Sequence, residues 1–150
     1  MTARQSYHLT FARFSPSLSV RSFSASEAVN TAYRVEITAT STDSSLPLSS
    51  YLNQRAAFEI RPQEAVLSEV AAFAAGSDDP PAKQWQGIIT SCEKLSVSKD
   101  ETVYRFVLEP RFAALKHFQT SRLFQHQTVP DIVAAVFKHH GFSGVDYRFQ

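Results

Sequence analysis

At 150 residues, with 15 Lys and Arg against 14 Asp and Glu, the chain carries a formal charge of +1 and no basic run suited to nucleic acid or an anionic membrane surface. A single cysteine excludes an internal disulfide, and no apolar run approaches the ~18 residues that a membrane span needs. Twelve Phe and five Tyr, in a chain that is 43% hydrophobic, fit β-rich packing, because aromatic rings sit well on pleated surfaces. The length suits one medium domain, or a small barrel with an appendage. Met1–Thr10 is polar and lacks the apolar core of a signal peptide, so any exit from the cell is expected to use a route without one.

Tyr7, Leu9 and Phe11 alternate with His8, Thr10 and Ala12, which predicts a first strand ending before Pro16. Ser15 to Ser26 is Ser-rich and reads as an edge segment or loop with Leu18, Val20 and Phe23 tucked inward. Tyr33, Val35 and Ile37 alternate with Arg34, Glu36 and Thr38 in the clearest half-buried strand of the first half. Ser41 to Ser50 is rich in turn residues, after which Leu46, Leu48, Tyr51 and Leu52 predict a short helical turn against the core. Ala57 to Arg61 reads as a short strand closed by Pro62. From Gln63 to Ala75 the spacing of Val66, Val70 and Phe73 predicts a helix, followed by an exposed loop through Asp78, Asp79, Pro80 and Pro81.

Trp85 to Leu95 and Val103 to Glu109 form the two arms of an expected antiparallel hairpin, turning around Ser96 to Glu101 and stopped by Pro110. Arg111 to Phe118 predicts a helical turn carrying Phe112, Leu115 and Phe118. The best-specified element comes next. Thr128 is a good N-cap, Asp131 stands three residues on as a short-armed capping box, and Pro130 lies in the first turn. Val129, Ile132, Val133, Val136 and Phe137 make one apolar stripe. Lys138, His139 and His140 crowd the C-terminal end, and Gly141 supplies the left-handed position beyond it. Val145 to Phe149 reads as one more strand, which fits a piece of a longer protein.

Candidate chemistry is sparse. His139 and His140 are adjacent on a helix and point about 100° apart, and His117 and His126 show no metal-ligand spacing. Cys92 lies on an apolar-rich strand without the positive surroundings that activate a thiol. No nucleophile elbow, phosphate-binding Gly loop or zinc-protease motif occurs, so neither catalytic, cofactor nor metal residues are assigned and an enzyme is not expected. Asp78 and Asp79 read as a solvated turn, and Glu93 and Glu109 receive no role.

Several stretches resemble the N-terminal part of VgrG proteins, the spike subunits of the bacterial type VI secretion machine, and their relatives in contractile phage tail hubs. Tyr33–Ser41 is similar to that family's F-x-V-E-x-x-S strand. Trp85, Gly87 and Ile88 stand in a W-Q-G-I-I-T run that resembles its F-x-G-I-V-T strand start, and Tyr104–Pro110 resembles the paired strand. Arg122, Phe124 and Gln125, followed by Thr128, Val129, Pro130, Asp131 and Ile132, resemble the S-R-I-F-Q-x-x-S-V-P-E-I signature, the most specific of the set. The segment between Arg61 and Gln84 is longer than the family's short hairpin and reads as an inserted helix near 63–75 with a loop.

The resemblance implies a mainly β fold with some helix: a tail-tube or hub-like β-barrel, with the capped amphipathic helix at 128–141. It places a first hub-like barrel at 1–125 and a linking helix with the start of the next region at 126–150. It implies a structural, trimeric hub that docks on a tube-ring protein for envelope puncture and effector delivery. Its partners would be sister subunits, the tube ring and effectors, with no nucleic acid and no membrane-embedded segment. The protein would be cytoplasmic before firing and then exported by the machine itself. Two other readings stay open from the residues: a contractile phage or prophage tail hub, and a stand-alone barrel that binds a ligand in its mouth.

Overall fold

The computed structural model describes residues 4–63, 83–144 and 146–149. Contacts divide the chain into two compact units, Met1–Ala113 and Ala114–Gln150. Among the described residues the first holds six strands: β1 (Arg4–Phe11), β2 (Ser19–Ala28), β3 (Thr31–Ser41), β4 (Arg55–Gln63), β5 (Gln84–Val97) and β6 (Thr102–Glu109). They form an antiparallel sheet in the order β1-β4-β5-β6-β3-β2.

Alternation along the strands decides which side chains fill the sheet's inner face. Val35, Ile37 and Ala39 on β3 stand opposite Leu108, Phe106 and Tyr104 on β6, and all six are fully buried. Phe58 on β4 and Trp85 on β5 are cross-strand partners on the same face, their rings stacked 5.9 Å apart. The sheet curls. β1 and β2 lie at its opposite ends, yet the rings of Tyr7 and Phe23 come within 5.3 Å. No backbone ladder joins these two strands among the described residues, so the expected barrel is a half-barrel with two free edges.

Aromatic side chains gather in two groups inside it. Tyr7, Phe23, Phe58 and Trp85 occupy one. Phe11, Phe14, Tyr51 and Phe106 occupy the other, with Phe11 meeting Tyr51 edge-on at 4.9 Å. Such pairs add about 0.5–1.5 kcal/mol each beyond the area they bury, which explains the high Phe and Tyr content.

Two bulges keep this face continuous. Between Val20 and Ser22 the β2 register slips by one, so Val20 opposite Ala39 and Phe23 opposite Ile37 both face inward although they are three positions apart. A slip between Ile89 and Ser91 does the same for Ile89 and Cys92 on β5. The freed Thr90 hydroxyl then donates to the Glu109 carboxylate at 2.6 Å.

Three expectations need correction. Pro62 does not end β4, which runs on to Gln63. Ile60 donates its N–H to the Lys83 carbonyl on the β5 side, so by alternation the N–H missing at Pro62 falls on that same side. β5 pairing stops at Glu59, whereas β1 pairs with Pro62 and Gln63, and nothing is lost from that ladder. The short helix α1 (Leu48–Tyr51) forms, with Tyr51 buried and Leu46 and Leu48 packed on the core, but Leu52 is 42% exposed. Its extended conformation after the helix turns it outward. The third concerns the C-terminus. Among the described residues from 146 to 149 there is no strand: Ser143 and Asp146 close a turn, N–H to carbonyl at 2.9 Å, and Tyr147 packs on Phe137 at 4.8 Å. The helix expected near 63–75 lies outside the described residues apart from Gln63, which belongs to β4.

After Pro110 a 3-10 helix spans Arg111–His117, and Ala113 in it is buried. The second unit centres on α2 (Val129–His139). Its capping box is complete: Asp131 N–H donates to the Thr128 hydroxyl, and Thr128 N–H donates to the Asp131 carboxylate at 3.3 Å. At the other end Gly141 has φ 75°, Phe142 N–H reaches the Phe137 carbonyl at 2.9 Å, and Gly141 N–H reaches that of Lys138 at 3.1 Å. The Phe137 and Phe142 rings meet at 5.5 Å, completing a Schellman ending.

Candidate assembly interface

The residues singled out by motif fall into two places. Trp85, Gly87 and Ile88 lie at the start of β5, and Pro110 comes after β6 at the same end of the sheet. Arg122, Phe124 and Gln125 lie in the irregular connector of the second unit, Thr128 caps α2, Val129, Pro130, Asp131 and Ile132 form its first turn, and Gly141 lies just past its end. Within that unit Phe124, Arg122, Phe118, Val136 and His140 border one shallow cleft of about 280 Å³, with Phe118 against the His140 ring at 4.6 Å. α2 has no fully buried residue, and Val129 at its start is 73% exposed.

At the β5 start the geometry is tighter. Trp85 is 4% exposed, and its indole N–H donates to the Glu27 carboxylate at 2.5 Å. Lys83 donates to the other Glu27 oxygen at 2.9 Å and sits 4.7 Å over the indole ring. The hydrogen bond from Lys83, then that from Trp85, holds the Glu27 carboxyl below the usual carboxylate range. Beside this group the Tyr33 hydroxyl donates to the Gln86 carbonyl, reaching from β3 past β6 to β5. Burial, and then the charge on Glu27, pushes the Tyr33 hydroxyl up. Gly87 lets the Glu109 backbone approach here. Glu27, Tyr33 and Lys83 are not legible as a set in the sequence. They lie in three separate stretches, with no shared spacing to link them.

Chemistry elsewhere is muted. Burial pushes the Cys92 thiol up to about 11, with Glu93 adding to the effect, so it stays protonated at neutral pH. Glu93 pairs with Arg105 at 3.3 Å while Glu109 faces Thr90 and Arg34, so these two carboxylates do not meet. Among the described residues no group of three or more His, Cys, Asp or Glu is placed to hold a metal ion. No helix there is long and apolar enough to cross a membrane.

What the sheet offers outward is edges. Among the described residues β1 forms a ladder with β4 alone and β2 with β3 alone. β5 pairs with β4 only as far as Ile88 but continues to Val97, and on that extension Leu95 and Val97 are exposed. Unpaired N–H and C=O groups along such edges are templates for another chain.

Known proteins resemble the chain in sequence and in fold. The chain is similar to the type VI secretion system spike protein VgrG4b of Pseudomonas aeruginosa, 29% identical over 133 residues, or 89% of this chain and 14% of that protein. With VgrG5 of the same organism it is 31% identical over 131 residues, covering 87% of this chain and again 14% of the relative. The chain thus spans about one-seventh of the length of these curated relatives. Its structure is similar to that of the E. coli c3393 protein, a component of the type VI secretion system with structural similarity to the T4 bacteriophage tail proteins gp27 and gp5. That likeness has a TM-score of 0.72 at 28% identity and covers 91% of this chain and 33% of the other. A model of the family described as phage tail baseplate hub (GPD) matches residues 26–150, and the chain belongs to that family.

Proposed function

We propose that the chain is a structural part of a type VI secretion spike: a hub element that assembles as a homotrimer and docks on the secretion tube for envelope puncture and effector delivery. The observation that carries this reading is a half-barrel with free strand edges, in a chain of the tail hub family that is similar to two spike proteins along most of its length. Such a part works by contact and rigidity rather than bond chemistry, so it is not an enzyme. Its partners are sister subunits, a tube-ring protein and effectors. Residues 1–125 serve as the first hub-like barrel, and 126–150 as the linking helix and the start of the next region. The protein waits in the cytoplasm and leaves by the machine's own stroke. The motif residues at the β5 start and around Thr128 serve by fixing the hub's shape.

A phage or prophage tail hub is the second reading, favoured by the family description itself. VgrG4b and VgrG5 are secretion spikes, which is why the secretion reading comes first. Light scattering on the purified protein that carries the chain tests the common core of both. Three copies per particle are expected, and a strict monomer at high concentration removes the hub reading.

A further inference from the structure

We propose that the shallow cleft of the second unit is a docking site for an extended segment of another protein, one that carries an apolar side chain beside a carboxylate. Three pieces of chain build the cleft: the 3-10 helix with Leu115, the connector with Phe118, Arg122 and Phe124, and α2 with Val136 and His140. Its walls are mostly apolar or aromatic, and among the described residues no carboxylate borders it. The two acids of this unit are engaged elsewhere. Asp131 closes the capping box, and Asp146 accepts from the Ser143 N–H at 2.6 Å. Arg122 makes no ion pair among the described residues.

Charge sets the sign of the occupant. Residues 114–150 hold four Lys and Arg against two Asp, whereas residues 1–113 hold eleven Lys and Arg against twelve Asp and Glu. The second unit is therefore the positive one, which favours an anionic partner, yet it has no basic run to track a nucleic acid. Apolar surface is left over as well. Phe118 is 59% and Leu123 83% exposed on the connector that carries Arg122. Exposed apolar surface rimmed by polar groups marks interaction sites, and aromatic and Arg side chains are the common anchors there. Size then selects a polypeptide. Small molecules occupy pockets of about 300–1,000 Å³ that bury most of their surface. This cleft is shallow and holds about 280 Å³, room for a side chain, with Arg122 placed to fork onto a neighbouring carboxylate. The site does not rest on the hub reading, since one chain supplies all of it.

The test uses the purified protein that carries the chain and a peptide, Gly-Ser-X-Glu-Ser-Gly, in which X is photoleucine, a leucine analogue that bonds on illumination to whatever it touches. Mass spectrometry then locates the label. Label is expected to concentrate on residues 115–124 and 136–140. Replacing the peptide's Glu by Gln should lower the yield there about three- to fivefold, near the upper end of what an exposed ion pair contributes. Arg122→Gln should lose the same factor with the acidic peptide and label equally with both peptides. Arg122 is exposed in an irregular stretch, so this change removes no buried contact. Lys138→Gln, which removes a cation that does not border the cleft, should keep the parent's yield and preference. Label spread over the surface overturns the proposal, and so do equal yields from the two peptides on the unmodified protein. An equal loss in Lys138→Gln also overturns it, because the attraction would then belong to the unit's charge rather than to the cleft. A strict monomer for the unmodified protein would remove the hub reading and leave these outcomes untouched.

Discussion

Gly87 has no room for a methyl group. A Cβ there would lie 2.0 Å from the Glu109 carbonyl oxygen and 2.8 Å from its carbon, and neither can swing away because both are backbone of the neighbouring strand. The position is one where a strand Gly marks close approach of another backbone. Gly87→Ala is expected to cost about 1–3 kcal/mol, the usual range for forced overpacking, seen as a lower urea midpoint at an unchanged slope. A midpoint equal to that of the parent would mean that β5 and β6 can part here without loss. Glu27 makes a prediction of a different kind. Its folded carboxyl titrates below its unfolded value of 4.5, so the ionised form contributes stability that is fully present above that value and is lost as pH falls through the lower, folded one. The gap in melting temperature between the parent and Glu27→Gln should therefore be constant from about pH 7 to about pH 5 and close as acid is added further. Because Asp43 is also held low, chiefly by the Ser45 hydroxyl, only this difference isolates Glu27. A gap that stays open in strong acid would show that the carboxylate's charge plays no part.

At the scale of single elements, α2 carries its own instructions. The Thr128–Asp131 box and the Gly141 ending are both local, separated by a few residues from the groups they satisfy. Thr128→Ala should cost about 1 kcal/mol, and so speed amide exchange in the first turn of α2 by roughly fivefold. Exchange at the parent rate would show that tertiary contacts, rather than the cap, hold that end. Such local signals make the helix and the β5–β6 hairpin legible in the chain. The strands that resist reading depend on partners far away. Val20 and Phe23 are on one face only because β2 bulges against β3, and Pro62 is tolerated only because β5 pairing has already stopped. Val145–Phe149 fails for the converse reason. Its alternation predicts a strand, but its described residues find a ring partner in Phe137 and a turn at Ser143 instead of a ladder. At the candidate interface the motif residues stand out in the sequence, whereas Glu27 does not, since its role exists only once the sheet has curled.

Among the described residues of the first unit, stability rests on one aromatic-lined inner face closed by side chains rather than by a complete ring of backbone ladders. Phe106 is the test of that statement. It is fully buried, lies opposite Ile37 and Cys92, and touches the rings of Phe11, Tyr51 and Tyr104 at 5.5, 5.8 and 6.4 Å. Phe11 sits on an edge strand and Tyr51 on a four-residue helix, so Phe106 ties two weakly held pieces to the middle of the sheet. Truncating a buried Phe costs about 3–5 kcal/mol, against a total of about 5–15 for an ordinary domain. Phe106→Ala should therefore lower the unfolding free energy by that amount or abolish folding of the sheet. The milder Phe106→Leu should keep the fold and lose less, with exchange rising first in β1 and around Tyr51. A loss below about 1 kcal/mol for Phe106→Ala would mean that the half-barrel does not depend on its interior rings, and that the backbone ladders alone hold the curl.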